Sequence, residues 1–312
     1  MRLSIVIPTY RRPDALPRAL DRLERQTIPS GDFEVIVVDD DVEDDAREVE
    51  RSVGRRPFRV RRLHRHARGV SAARNAGWRA AEAPLVMFLG DDILAAPDLV
   101  EQHLAWHERR PDQTIGVLGH VRWARELRRT AFMVWLDEGI QFDYGSLSGD
   151  EAGPGHFYTS NISLKRGMLE RAGGFDEVRF PFLYEDIDLG LRLAEQGFRL
   201  LYNRGARAEH LHRPQLADWR RRMAATAAAE RAFVARHPGE RAYFHELFEA
   251  VRWHAPLRGW RGRLLAWVPR RTPLIGEAIW QNADVYFRQQ LGGPFLEAWD
   301  AEAQRAASSA GS

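Results

Sequence analysis

Cysteine is absent from the 312 residues. That removes disulfides, thiolate nucleophiles, Cys-ligated zinc and iron–sulfur clusters, and leaves any metal to oxygen or imidazole ligands. Lysine occurs once, at Lys165, so the 46 basic residues are almost all arginine; set against 44 acidic residues they leave a formal charge of +2, too small a surplus to name a partner. No apolar run approaches the ~20 residues that cross a bilayer. The N-terminus passes from Arg2 through five mostly apolar residues to Pro8, which is not the layout of a signal peptide. The expectation is a cytoplasmic protein. Neither a GxGxxG nor a Walker-type glycine loop occurs, so phosphates are left to metal and arginine. A hydrophobic fraction of 44%, with Gly 25 and Pro 16, excludes collagen-like, low-complexity and largely disordered classes.

What is present is an alternation of short β-branched runs with amphipathic stretches, the pattern of βαβ units around a mostly parallel, doubly wound sheet. Strands are expected over 3–7, 33–38, 58–63 and 85–89. The intervening helices are expected to open at Pro13, with Leu16, Leu20 and Leu23 on one face, and to cover 47–53, 71–81 and 97–109. Further strands are expected over 115–121, 158–164 and 198–202, with a helix over 185–196 closed by Gly197. The Gly- and Asp-rich stretch 136–156 reads as a lid or mobile loop. From about Leu216 strand patterns give way to helical ones, and 301–312 is small, polar and expected to fray. No internal repeat is found.

Ligands of doubly wound sheets bind beyond the carboxyl ends of the strands. Those positions here hold Pro8, Thr9, Tyr10 and Arg12, then Asp39, Asp40 and Asp41, then Arg68 with Arg74 on the following helix, then Asp91 and Asp92. Adjacent carboxylates at 91 and 92 would repel unless neutralised. Magnesium or manganese, which combine one or two carboxylates with substrate phosphates, would do so; capping of the next helix is the plain alternative.

In order and spacing, IVIPTYRR, VIVVDD, RGVSAARNAG and FLGDD resemble the family-2 glycosyltransferases, and NISLKRGMLERAGGFDE with EDIDLGLRLAEQGFRL resembles their acceptor half; the likeness covers roughly 3–213. It implies a GT-A fold, a Rossmann-like α/β architecture, with a nucleotide-sugar-binding half (1–110), an acceptor half (111–213), a helical appendage (214–300) and a disordered tail (301–312). It implies inverting transfer from a nucleotide-diphosphate sugar, UDP- or dTDP-linked by preference, to a glycan or lipid-linked acceptor, with Mn2+ or Mg2+ at the diphosphate. Pro8, Thr9, Tyr10, Arg12, Asp39, Asp40, Arg68, Arg74, Asn75 and Asp91 would bind donor. Asp92 would hold the metal, with Asp91 and either His210 or His212. Asp186 would be the general base with Glu185 beside it, and plain N-capping of the 185–196 helix is the competing reading of Asp186. Asn161, Trp123 and Asp188 are acceptor-side candidates on position alone. Tyr10 and Asn75 also admit packing and capping roles.

Two departures stand out. Gly90 replaces the Asp that usually opens the family's acid triplet, and Asp41–Val42 replaces its Gly-Ser turn. They motivate a rival reading, a degenerate GT-A module that binds nucleotide or glycan without turnover. Residues 51–68 carry eight Arg and two His, while 252–271 carry six Arg, three Trp and no acid. The first patch reads as a diphosphate-attracting field or a solvated edge strand. No RNA-binding motif accompanies it, so no nucleic-acid partner is expected. The second reads either as tryptophans packing the appendage or as a peripheral contact with an anionic membrane, placing the protein at the inner face of the plasma membrane.

Overall fold

The structure, a computed structural model, describes residues 1–41, 46–65, 68–138, 140–257, 259–264, 267–268, 270 and 272–310. In chain order the elements are β1 (Leu3–Thr9), α1 (Leu16–Leu23), β2 (Phe33–Asp39), α2 (Ala46–Val53), β3 (Arg59–His64), α3 (Val70–Ala80), β4 (Leu85–Leu89), β5 (Ile93–Ala95), α4 (Leu99–Arg109), β6 (Ile115–Trp123) and α5 (Ala131–Leu136). There follow β7 (Glu151–Ala152), β8 (Asn161–Lys165), α6 (Arg166–Ala172), α7 (Glu185–Ala194), β9 (Arg199–His210), α8 (Leu216–Arg236), α9 (Tyr243–Glu249), α10 (Gly259–Arg263) and α11 (Gly276–Ala310).

The chain divides into two compact units. Met1–Leu127 and Ser146–His212 form the first; Arg128–Gly145 and the residues from Arg213 onward form the second. Residues 128–145, read from sequence as part of the acceptor half, thus group with the C-terminal helices.

In the first unit the sheet runs β3-β2-β1-β4-β8-β6-β9-β5, with β7 on β9. The four leading strands are parallel, β8 is antiparallel to both its neighbours, and β9 returns parallel to β6. β1 lies between β2 and β4, so the strand order reverses there, and its carboxyl end opens on a ligand-binding crevice. β1, β2 and β4 are buried along their length, as apolar runs in a two-sided sheet require. Leu16, Ala19, Leu20 and Leu23 bury one face of α1. Gly77 lets α3 approach β1 closely, because a Cβ there would come within 2.3 Å of Val6 Cγ1.

Three expectations change. The strand expected over 198–202 continues to His210, held by pairing with both β6 and β5. β5 was not foreseen, since three residues after a tight turn carry no period. The tail expected to fray is helical through Ala310, and its Ala, Glu, Gln and Arg content accounts for that.

In the second unit α11 is the spine. Phe132 and Trp135 of α5 meet Phe287 at ring-centroid distances of 5.4 and 5.3 Å, and Phe248 of α9 meets Phe295 at 5.2 Å. Trp135 Nε1 donates to Asp284 (2.9 Å). Glu230 of α8 is fully buried, and its two oxygens accept the Phe244 and His245 N–H groups at the start of α9 (2.7 and 2.8 Å).

Candidate active site

Two carboxylate clusters form in the first unit. The first lies past the ends of β1 and β4. The chain turns at Gly90–Asp92 and enters β5, which pairs Ile93 with His210 and so carries Asp92 to the end of β9. The Leu211 N–H donates to the Asp92 carbonyl (2.8 Å), and His210 Nε2 lies 3.3 Å from Asp92 Oδ2. The Arg12 guanidinium pairs with the same oxygen. Thr9 Oγ1 donates to Asp91 Oδ2 (2.8 Å). Trp123 stacks on the His210 ring at 5.3 Å and 14°, and the His212 ring lies 5.9 Å from that of His210.

These neighbours drive the two acids apart. Desolvation and the charge of Asp92 push Asp91 up to about 7, despite Arg12 and Thr9. Asp92 suffers the same desolvation, but the His210 hydrogen bond and the charges of His210, Arg12 and His212 outweigh it and hold the group at about 2. One fixed negative charge therefore faces a histidine pair. Gly90 has a steric reason as well: a Cβ there would sit 2.9 Å from Ile93 Cγ1 and 3.2 Å from Asp92 Oδ1.

No group of three or more His, Asp or Glu among the described residues is arranged to hold a metal by itself. The donor set of Asp92 and His210, with Asp91 adjacent, fits a hard divalent cation that takes its other ligands from substrate and water. It does not fit one caged by protein alone.

The second cluster lies at the start of α7. Arg74 Nη1 pairs with Glu185 (2.7 Å), and its guanidinium lies over the Phe175 ring at 5.5 Å. Asp186 follows, half-buried, with Oδ1 accepting from the Ile187 N–H (2.9 Å). Desolvation first, and the Glu185 charge second, raise Asp186 to about 7, against Arg74. The N-cap position of α7 is Tyr184, so Asp186 lies within the first turn, where it takes up the Ile187 N–H. Leu183 and Tyr184 both have φ of 64°, unusual for side-chain-bearing residues. The loop before them is fastened to α3: the Ser71 N–H donates to the Pro181 carbonyl (3.2 Å), and Ser71 Oγ donates to the Phe180 carbonyl.

Several sequence candidates occupy other places. Asn75 is fully buried, with both ends of its amide bonded to Trp78, Phe175 and Glu177, so it braces α3 rather than facing a nucleotide. The Asp40 carboxylate is taken up by the Arg68 and Gly69 N–H groups (3.0 and 2.9 Å), which fastens the entry to α3. Asn161 is fully buried between His103 Nε2 (2.9 Å) and the Ala206 carbonyl (3.0 Å). Asp188 is fully buried on Arg192 (2.9 Å). Both side chains are enclosed by these protein partners and have no solvent exposure. Trp123 is buried against His210 rather than open to an acceptor.

At the crevice rim, Tyr10 is exposed under the Arg11 guanidinium (5.3 Å). Pro8 is half-buried and Arg68 exposed. Asp39 is buried beside Arg62 (3.0 Å) and His64 (3.6 Å). Arg62 and His64 lay unremarked in the 51–68 patch, and their alternation along β3 was the available signal. Val42 and His66 lie outside the described residues.

The fold and this crevice define a nucleotide-sugar-type α/β architecture, and the comparisons with known proteins agree. The family model described as "Glycosyl transferase family 2" matches residues 4–169, and the chain belongs to that family. The validoxylamine A glucosyltransferase of Streptomyces hygroscopicus subsp. limoneus is 33% identical over 243 residues, 67% of this chain and 52% of that protein. The pre-mycofactocin glycosyltransferase of Mycobacterium tuberculosis is 28% identical over 215 residues, 66% and 40% of the two chains. The chain spans about half the length of the curated relatives it matches first. Among solved structures, S. aureus TarS 1–349 in complex with UDP-GlcNAc superposes with a TM-score of 0.55 at 15% identity, covering 97% of this chain and 92% of that one. The mannosyltransferase PcManGT of Pyrobaculum calidifontis, in complex with GDP-Man and Mn2+, gives 0.54 at 19%, covering 99% and 79%. These likenesses establish a GT-A fold. No helix of the described residues is long and apolar enough to cross a membrane.

Proposed function

We propose that the chain moves a sugar from a nucleotide-diphosphate donor to a glycan or lipid-linked acceptor hydroxyl, with inversion at the anomeric carbon. The observation that carries this reading is the placement of two acids in the first unit: Asp92 beside Arg12 and His210 past the ends of β1 and β4, and Asp186 beside the Arg74–Glu185 pair at the start of α7. The first suits an ion-binding group, and the second, raised by desolvation and by the Glu185 charge, suits a general base. Asp186 takes the acceptor hydroxyl proton as that oxygen attacks the anomeric carbon. The bond from that carbon to the diphosphate breaks on the opposite face, and its electron pair leaves with the nucleoside diphosphate. Asp92, with His210, would hold Mn2+ or Mg2+, and such an ion would supply positive charge to the departing diphosphate. Arg12 is placed to turn from Asp92 to a phosphate oxygen. Asp39 serves as acceptor for an imide N–H, which favours UDP- or dTDP-sugars. The nucleotide-sugar complexes of the structural neighbours support the donor class.

The test is a panel of UDP-, dTDP-, GDP- and CDP-sugars with and without Mn2+ or Mg2+, reading donor hydrolysis and transfer, with product configuration by NMR. Metal-dependent turnover that is lost in Asp92→Ala and Asp186→Asn supports the proposal. Nucleotide binding without turnover of any donor would make the chain a binding module, and retained configuration would remove the inverting mechanism.

A further inference from the structure

The C-terminal unit carries a surface that the proposed reaction does not use. Trp253, Trp267, Leu274 and Ile275 are 85, 75, 102 and 51% exposed, and Trp260 and Leu264 add 49 and 37%. Six large apolar residues in water within two dozen positions exceed what a solvated face carries by chance. The expectation that these tryptophans pack the appendage therefore fails for Trp253 and Trp267.

The loop behind Trp253 and the start of α10 are held by α11. Gln289 of α11 accepts the Leu257 N–H (3.0 Å) and donates to the His254 and Ala255 carbonyls (both 3.1 Å), which pins the loop behind Trp253. A Cβ on Gly259 would lie 3.2 Å from the Tyr286 hydroxyl, so the start of α10 also rests on α11.

Charge selects the occupant. Residues 252–275 contain six Arg and no Asp or Glu. Acids outside the segment neutralise two of them: Arg252 meets Glu249 and Asp300 (3.1 and 2.7 Å), and Arg270 meets Glu138 and Glu277 (3.1 and 2.8 Å). Arg263 is exposed, and Arg258, Arg271 and the side chain of Arg261 lie outside what the structure describes. A second copy of the chain would bring arginine against arginine in a self-complementary contact. An anionic phospholipid surface meets both features at once: tryptophan and aliphatic side chains at the headgroup boundary, and guanidinium groups on lipid phosphate.

We propose that the exposed side chains of Trp253, Trp260, Arg263, Leu264, Trp267, Leu274 and Ile275 form a peripheral docking surface for an anionic bilayer. The proposal stands apart from the catalytic reading and is tested without turnover. The full chain is sedimented with phosphatidylcholine vesicles, with and without added phosphatidylglycerol, at low and high salt. The expected result is retention that depends on phosphatidylglycerol and falls with salt. Arg263→Glu should weaken it by roughly fivefold or more, since each basic group near such a surface contributes about that factor. Trp253→Ser with Trp267→Ser should weaken it about tenfold or more at an unchanged melting temperature, because both rings already lie in water and the fold does not depend on them. Equal retention on neutral vesicles, no retention on anionic ones, or variants that bind like wild type would overturn the proposal. So would concentration-dependent dimerisation, or binding to a random-sequence RNA, that disappears in the same variants while vesicle binding persists.

Discussion

Asn75 separates a bracing role from a donor-binding one. Its Oδ1 accepts from Trp78 Nε1 (2.8 Å) and the Phe175 N–H (2.9 Å), while Nδ2 donates to the Phe175 carbonyl (2.9 Å) and Glu177 (2.8 Å). Both ends of the amide are satisfied in a site with no solvent exposure. Asn75→Ala leaves the Trp78 N–H and the two Phe175 backbone groups without this partner. At about 1–3 kcal/mol for each of these three buried orphans, less a few tenths regained from the helix propensity of alanine, the loss is roughly 3–8 kcal/mol. That is a large part of the 5–15 kcal/mol typical of a domain. Asn75→Asp keeps the Oδ1 bonds but turns an acceptor toward the Phe175 carbonyl and a charge toward Glu177, so it should cost about as much. The assay is urea denaturation, with nucleotide affinity measured by calorimetry where the variants remain folded. Stability should fall while affinity holds. A variant with the wild-type denaturation midpoint and lost nucleotide affinity would refute the reasoning and return Asn75 to the donor site.

Burial holds His103 near 4 and His107 near 3, against a usual 6.5. Both are neutral when folded, so stability is full above pH 6.5 and falls as the unfolded chain alone takes up protons; at pH 5 the loss should be about 2 kcal/mol per histidine, and a flat denaturation midpoint from pH 7 to 5 would contradict it. Acting as the proposed base, Asp186 would have to be ionised, so activity should rise with pH through about 7. Glu185→Gln removes the second-largest cause of that elevation and should move the rising limb to lower pH; an unmoved limb counts against the pairing. Glu230→Ala strips two N–H partners from the start of α9 and should cost about 2–4 kcal/mol in a thermal melt, whereas a change below half of that would show the cap to be dispensable.

Most of the α/β half was legible because buried parallel strands read as apolar runs, and β1, β2 and β4 are buried almost throughout. The acid positions were legible because the strands end where polarity begins, and Asp91, Asp92, Glu185 and Asp186 do fall in two clusters. Which polar residues turn inward was not. Asn75, Asn161 and Asp188 sit beside exposed or site-facing positions in sequence, and their burial depends on partners about 45 to 100 residues away or on a helix face no period marks. The network of His103 and His107 with Ser163 escaped notice for the same reason: two histidines four apart on α4 look solvated until β8 brings Ser163 within 2.8 and 2.9 Å of them. The edge at β5 and the length of β9 come from tertiary pairing, which leaves no local trace.

The loop before α7 shows how such partners impose a conformation that sequence does not request. Leu183 and Tyr184 each hold φ at 64°, at a cost of about 1–2 kcal/mol per residue for a side chain with a Cβ. Nothing in Phe-Leu-Tyr-Glu-Asp announces this. The strain persists because α3 clamps the preceding carbonyls through Ser71, and because Gly69, where a Cβ would meet the Pro181 oxygen at 2.5 Å, lets the two backbones touch. The same helix supplies Arg74 to Glu185, so one element fixes both the backbone entering α7 and the charge beside Asp186. Leu183→Gly should therefore remove about 1 kcal/mol of strain and return most of it through the entropy of the unfolded chain, leaving the melting temperature nearly unchanged. Turnover should fall because the segment entering Asp186 has gained freedom. A melting temperature lowered by many degrees would show that the Leu183 side chain packs rather than strains, and undiminished turnover would show that the backbone at 183 does not position the base.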